Sequence, residues 1–221
     1  MFIEFDKVSF QYNSSSQDII QQLNLELTAA DFTALVGPNG SGKTTIGKLA
    51  AGIIKPDQGN VLIQGQSADK MSLAEIGNKI GYLFQNPERQ LFSSTVAEEL
   101  SFVMEINDRE HDFIDQKVDE MLELFALTNH RNSFPFELSQ GEKQRLALAA
   151  IFINNPAYLI LDEPTTGLDR KRKREFSALL ETFKQRGTGM LLISHDHQFV
   201  TKHARRIIRI EEGRIVNDQI N

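Results

Sequence analysis

The sequence contains no cysteine. That excludes a disulfide framework and any thiolate metal site, and it suits a reducing compartment. Long apolar runs are missing too: the longest, Leu146 to Ile153, is far too short to span a bilayer. The N-terminus, Met1-Phe2-Ile3-Glu4-Phe5-Asp6, is acidic and lacks a signal-peptide pattern. Any membrane role is therefore expected to be peripheral, through a partner. Positive charge is not in excess, with 24 Lys and Arg against 30 Asp and Glu and a net charge of -6, so nothing global attracts nucleic acid or anionic lipid. No internal repeat or low-complexity segment interrupts the chain. What remains is an ordinary globular composition, 40% hydrophobic and 24% charged. Its 221 residues suit one sizeable domain, or a core with an inserted subdomain.

Taken in order, residues 2 to 10 read as a half-exposed strand. Leu23, Leu25 and Leu27, at period two, mark a second strand pairing with it across a turn at Asn13-Ser14-Ser15-Ser16. Phe32 to Val36 reads as a buried strand. Lys55-Pro56-Asp57-Gln58-Gly59 is a turn, Asn60 to Gln64 a strand, and Ser72-Leu73-Ala74-Glu75 has capping-box spacing for a short helix. Ile80 to Phe84 is a strand with Gln85 at its end. From about 86 to 153 the pattern becomes helical. Val118, Met121, Leu122 and Phe125 fall on one face of one helix, and Ser139 begins another. Tyr158 to Leu161 and Met190 to Ser194 are apolar enough to be buried parallel strands. Arg170 to Lys184 and Asp196 to His203 read as helices, and Ile207 to Ile210 and Ile215 to Val216 as strands around a turn at Glu212-Gly213.

One stretch organises this pattern. Gly37-Pro38-Asn39-Gly40-Ser41-Gly42-Lys43-Thr44-Thr45 fits the phosphate-binding loop, between a strand and a helix start. Glycines let backbone N–H groups turn inward around an anion, and the helix N-terminus adds its positive dipole end. Lys43 is expected to reach the β- and γ-phosphates and the Thr44 hydroxyl to ligate Mg²⁺. The expected fold is α/β: a P-loop NTPase core with a mostly parallel sheet, an N-terminal antiparallel β layer and an inserted helical subdomain. It forms a single domain over 1–221, with the core at about 1–85 and 154–221 and the subdomain at about 86–153.

Asp162 and Glu163 stand at a strand's C-terminal end, where α/β folds place their sites. Asp162 can hold Mg²⁺, and Glu163 can polarise a water for in-line attack on the γ-phosphorus. Gln85 and His195 also end strands. Gln85 can offer its amide oxygen to Mg²⁺ or to the water, and His195 its ring N–H to the γ-phosphate. The other histidines, His111, His130, His197 and His203, lack metal-ligand spacing. Tyr12 either stacks on a purine or merely ends a strand with its hydroxyl in water. Leu138-Ser139-Gln140-Gly141-Glu142 makes a second anion site at a helix start. It is remote from the first in sequence, so it is expected to serve a nucleotide on another copy.

These motifs, in this order, resemble the ATP-binding cassette (ABC) ATPases over essentially the whole chain: Tyr12, the phosphate loop, Gln85, Ser139 with Gly141, YLILDEPT at 158–165, TGLD at 166–169 and His195. The resemblance implies ATP sandwiched between the phosphate loop of one subunit and Ser139 and Gly141 of the other, with Asp169 in a loop that crosses the interface. The signature departs from the usual LSGGQ: Gln140 stands at a glycine position and Glu142 at the glutamine. Glu142 would repel a γ-phosphate unless it points away or binds a neighbouring amide. Phe84-Gln85-Asn86-Pro87-Glu88-Arg89-Gln90-Leu91-Phe92, then Thr95-Val96-Ala97-Glu98-Glu99, is similar to the ATPase subunits of energy-coupling factor (ECF) transporters, importers of vitamins and metal ions. That implies an ATP-hydrolysing subunit at the cytoplasmic face of the membrane, with a second ATPase subunit and a transmembrane component docking near Gln85–Phe102. Leu91 and Phe92 are the expected docking pair, or else an internal loop–helix contact. ECF ATPases commonly carry a further C-terminal segment, so a chain stopping at Asn221 is expected to dimerise through ATP and the membrane partner.

The alternative is a soluble ABC ATPase acting on nucleic acid or ribosomes. The compact segment between Thr44 and Ser139, without sustained heptads, and the single cassette argue against it. A slow regulatory module would be marked by loss of Glu163 or His195, and both are present. The run Arg170-Lys171-Arg172-Lys173-Arg174 lacks aromatic interleaving and reads as a solvated helix face, with no nucleic acid expected.

Overall fold

The structure, a computed structural model, describes residues 1–12 and 18–220; the expected turn at Asn13 to Ser16 lies outside them. Two sheets form. The first is antiparallel, in the order β2 (Ile20–Leu27), β1 (Ile3–Phe10), β4 (Gln58–Ile63), β5 (Gln66–Ser67). As β1 lies inside this sheet rather than at its edge, it is more buried than half-exposed: Ile3, Phe5, Val8, Ser9 and Phe10 are all covered.

The second sheet has six strands: β10 (Arg214–Ile220), β9 (Arg206–Glu211), β3 (Phe32–Val36), β8 (Gly189–Ile193), β7 (Tyr158–Asp162) and β6 (Ile80–Leu83). All pairs are parallel except β9 with the edge strand β10. β10 runs well beyond the expected Ile215–Val216. Asn217, Asp218 and Gln219 are exposed and hid the strand from a hydrophobicity reading, but the ladder continues through them and Arg206 clamps Asp218 with two hydrogen bonds of 2.8 and 2.6 Å.

The apolar runs of β3, β7 and β8 are buried at every position because both faces are covered. Period-two alternation divides them between two cores. Leu35, Ile160, Leu191 and Ile193 face α1 (Lys43–Ala50) and the antiparallel sheet. Ala34, Leu159, Leu161 and Leu192 face the other layer, with Leu148 and Phe152 of α5 (Gln140–Phe152) and Leu180 and Phe183 of α6 (Arg170–Gln185). Truncating such a leucine to alanine costs about 2–5 kcal/mol, so each face is strongly specified.

The capping box expected at Ser72 forms at the start of α2 (Leu73–Gly77), with Ser72 N–H donating to Glu75 at 2.7 Å and Glu75 N–H to the Ser72 hydroxyl at 3.2 Å. Between β6 and β7 the chain forms α3 (Val96–Ile106), α4 (His111–Leu124) and α5. Val118, Met121, Leu122 and Phe125 are buried together as their spacing predicts. Among the described residues no helix is long and apolar enough to cross a membrane.

Sheet order decides what happens next. Strands β3, β8, β7 and β6 are consecutive neighbours with Leu35 level with Ile193, Ile193 with Asp162, and Leu83 with Leu161. Four segments distant in sequence therefore leave the sheet along one edge.

Candidate functional site

At that edge the chain after β3 turns through Gly37, Gly40 and Gly42, all in left-handed backbone conformations. Two of these positions tolerate only glycine. A Cβ on Gly37 would stand 2.1 Å from the Ile210 carbonyl, and one on Gly42 would stand 2.7 Å from the Ile20 side chain. The helix that follows, α1, begins with no acidic residue in its first turn and no side-chain cap. Its dipole end is thus left to an outside anion. Lys43 lies along the loop, its ammonium donating to the carbonyls of Gly37 at 3.0 Å and Pro38 at 2.7 Å. Burial pulls its pKa down, while the charges of Glu163 and Asp162 push it back up.

Asp162 is 2% exposed and accepts from the Thr44 hydroxyl at 3.1 Å and the Tyr82 hydroxyl at 3.2 Å. Burial raises its pKa above the usual carboxylate range, against the lowering effect of these two bonds. Glu163, next in the chain, adopts a left-handed backbone with φ 50°, a conformation that costs a non-glycine residue about 1–2 kcal/mol. Its N–H to the Ile193 carbonyl, 2.8 Å, holds it there. Its carboxylate meets His195, whereas that of Asp162 meets Thr44 and Tyr82. Glu163 Oε2 is buried and makes no hydrogen bond, although His195 Nδ1 lies only 2.8 Å away. The His195 side chain is 67% exposed.

Asn39, Gly40, Gly42, Lys43, Thr44, Thr45, Gln85, Glu163, Thr166 and His195 surround one open cavity of about 380 Å³. A larger hollow, about 1130 Å³, lies by α4 and the ends of α5 and α6, and shares none of these residues. Tyr12 is not in the cavity wall. Its hydroxyl is 3.5 Å from Thr45 Oγ1 and its ring meets Phe10 edge-on, so it does not simply end a strand in water.

Ser139 and Gly141 also lie outside this cavity, at the start of α5. There Glu142 turns back to accept the Ser139 N–H at 2.8 Å, with its other oxygen 3.3 Å from His130 Nε2. The Ser139 hydroxyl and N–H hold its carboxylate below the usual range. Gly141 packs under Arg172 of α6, the nearest guanidinium atoms 3.1 Å from where a Cβ would be. Of the basic run, Lys173 pairs with Asp196 and Arg172 lies over Gly141, while Asp169 caps α6 by accepting the Arg172 N–H at 2.8 Å.

Several contributors were not singled out in the sequence. Tyr82 was placed only as a strand residue, though a buried phenol usually finds a hydrogen-bond partner. Gln144 donates from α5 to the Pro164 carbonyl, joining the Ser139 helix to the Glu163 loop. Gln90 donates to the Tyr82 carbonyl and accepts the Phe84 N–H, both at 3.0 Å, and so fixes the strand exit before Gln85.

The family model described as ABC transporter matches residues 20–166. The chain belongs to the ABC transporter family. A Pyrococcus horikoshii protein named as an ABC transporter ATP-binding protein is 37% identical over 97% of this chain and 78% of its own length. The cell division ATP-binding protein FtsE of Mycobacterium tuberculosis is 35% identical over 99% of this chain and 96% of its own. Among solved structures, cbiO1 from Clostridium perfringens, described as part of the ABC transporter complex cbiONQ, superposes with a TM-score of 0.88 at 29% identity, covering 99% of this chain and 88% of that one. The protein is an ABC-type ATPase subunit: it binds and hydrolyses ATP, and the P-loop NTPase fold expected from its motifs is the fold it has.

Proposed function

We propose that this ABC ATPase powers an ECF-type importer, paired with an identical or paralogous ATPase subunit beneath a transmembrane component at the cytoplasmic face of the membrane. Gly37, Pro38, Asn39, Gly40, Ser41, Gly42 and Thr45 cradle the phosphates of ATP and Lys43 neutralises them. Tyr12 stacks on the purine from beside Thr45. Thr44 and Asp162, with Gln85, are hard oxygen donors suited to Mg²⁺, which is usually bound through one or two carboxylates plus substrate phosphates and keeps several waters. When bound, Mg²⁺ supplies charge neutralisation on the β- and γ-oxygens. Glu163 orients and deprotonates the attacking water, His195 steadies the γ-phosphate, and Ser139 and Gly141 act on the nucleotide of the second subunit. Residues 86–153 form the helical unit that carries this second site.

The observation that carries the catalytic reading is the Glu163 carboxylate, which lies in the wall of the cavity that Lys43 and Thr44 also line, with Oε2 2.8 Å from His195 Nδ1. A carboxylate paired with an imidazole beside a phosphate loop is placed to take a proton from a water. Glu163→Gln should lower hydrolysis by about 10²–10⁴-fold while leaving ATP binding intact, and an ATP-bound dimer should accumulate in size-exclusion chromatography. Normal turnover in that variant would assign the base elsewhere.

Docking is supported by one half of the expected pair. Leu91 is 4% exposed and packs into the core, which corrects its expected place in the docking pair. Phe92 is 60% exposed. The buried Glu99 carboxylate accepts the N–H groups of Phe92 and Ser93 at 2.9 and 2.8 Å, and this turn presents the ring outward against Phe102, centroids 4.6 Å apart. Ile106, further along α3, is also exposed. Such an apolar face suits a partner helix. Co-purification in mild detergent should recover a polytopic membrane protein with the wild type and lose it with Phe92→Asp, while ATP hydrolysis by the isolated variant is unchanged. Recovery of ribosomes or nucleic acid instead would sink the importer reading.

A further inference from the structure

Asp162 is almost fully buried, so its carboxylate relies on protein donors rather than water. It has one on each oxygen. The Thr44 hydroxyl meets Oδ1 at 3.1 Å and the Tyr82 hydroxyl meets Oδ2 at 3.2 Å. The terminal torsion of an aspartate is soft and two-fold, and a single donor leaves the carboxylate plane free to swing. Donors on both oxygens fix it.

Tyr82 is itself held from three sides. Its ring is 7% exposed and packs against Phe84, centroids 4.7 Å apart. Its hydroxyl passes under α1 at Gly47, where a Cβ would stand 3.4 Å from the phenol oxygen. Its backbone carbonyl accepts from the Gln90 side chain at 3.0 Å. A phenol placed so firmly has one outlet for its proton, and that is Asp162.

We propose that Tyr82 is a positioning residue for the divalent-ion site: its hydroxyl holds the plane of the Asp162 carboxylate so that Oδ1, beside the Thr44 hydroxyl, stays directed at the phosphate loop. Because Tyr82 stands on the strand that leads into Gln85, the same bond ties the exit of that strand to the acid. This inference rests on the reading of Thr44 and Asp162 as Mg²⁺ ligands.

The test is Tyr82→Phe in the full chain, which removes the hydroxyl and keeps the ring. Binding of a fluorescent ATP analogue is measured at equilibrium, in EDTA and along a Mg²⁺ titration. Affinity in EDTA should be unchanged, and the Mg²⁺ concentration giving half of the Mg²⁺-dependent gain should rise roughly ten- to a hundredfold, the effect of one lost hydrogen bond to a charged group behind the metal ligand. Phe84→Leu trims the same ring stack without touching Asp162 and should leave the titration as in the wild type. A Tyr82→Phe titration that overlays the wild type overturns the proposal, as does an equal shift in Phe84→Leu, which would credit the packing rather than the hydroxyl. If the wild type itself shows no Mg²⁺-dependent gain, the metal reading of Asp162 fails, and the proposal falls with it.

Discussion

Two helices in this chain have a glycine and a hydroxyl residue at or near their N-cap, Ser41 with Gly42 and Ser139 with Gly141, yet their N-termini are electrostatically unlike. α1 starts at Gly42 with no side-chain cap and no acid in its first turn. α5 starts at Ser139 and closes on itself, because Glu142 accepts the Ser139 N–H at 2.8 Å. The free end of α1 looks into the cavity lined by Lys43, Glu163 and His195. The occupied end of α5 stands outside it. The difference teaches that one site is built to take an anion unaided. The other carries an internal anion, the Glu142 carboxylate, at its first turn. Glu142, read as a source of repulsion, is satisfied by a neighbouring amide. It then occupies the helix end itself.

The sharpest way to break this comparison is Lys43→Ala. It should weaken ATP binding to the isolated subunit by about 100-fold, the loss of charge-assisted contacts to phosphate. Undiminished binding of a fluorescent ATP analogue would remove the phosphate loop from the scheme. Next in size, Ser139→Ala should lower hydrolysis about tenfold, since a hydroxyl contact to a charged group is lost only when two subunits close. Monomer affinity should stay at the wild-type level; an equal fall in both quantities would mean that the α5 site acts within one chain. The smallest effect is expected from Glu142→Gln, which should reduce thermal stability by about 1 kcal/mol through a weaker cap.

That last variant also carries a pH signature. The folded pKa of Glu142 is depressed, so its contribution is fully present above the ordinary glutamate value of 4.5 and is lost as pH falls through the lower folded value. Melting curves of wild type and Glu142→Gln, separate at neutral pH, should therefore draw together as pH falls below 4.5 and through the lower folded value. Curves that stay equally far apart across that range would show that the carboxylate is not what caps α5.

Much of the fold could be read directly from the residues. The strand–glycine loop–helix unit, the buried strands at Tyr158 to Leu161 and Met190 to Ser194, and the capping box at Ser72 all follow from local periodicity and turn chemistry. Of β10 only Ile215 and Val216 were legible, because Asn217, Asp218 and Gln219 show no apolar alternation; their ladder exists only once β9 is beside them. Leu91 and Phe92 show the same limit. Both are large and apolar, and nothing local says that one turns inward and the other out. The buried Glu99 carboxylate, gripping the Phe92 and Ser93 N–H groups, makes that choice.

The sequence by itself determined which chemical groups are available: a glycine loop with Lys43 and Thr44, acids at 162 and 163, Gln85 and His195 at strand ends, and a serine and glycine opening a helix. Those are local facts, carried by spacing and residue type. Only the tertiary structure decided which groups meet. Strand order β3-β8-β7-β6 brings four distant segments to one edge, Glu163 in its left-handed turn meets His195 while Asp162 meets Thr44, and the phenol of Tyr82 reaches the acid from a neighbouring strand. Such contacts depend on register between segments far apart in the chain, and register is fixed by packing the whole core, which no single stretch of residues contains.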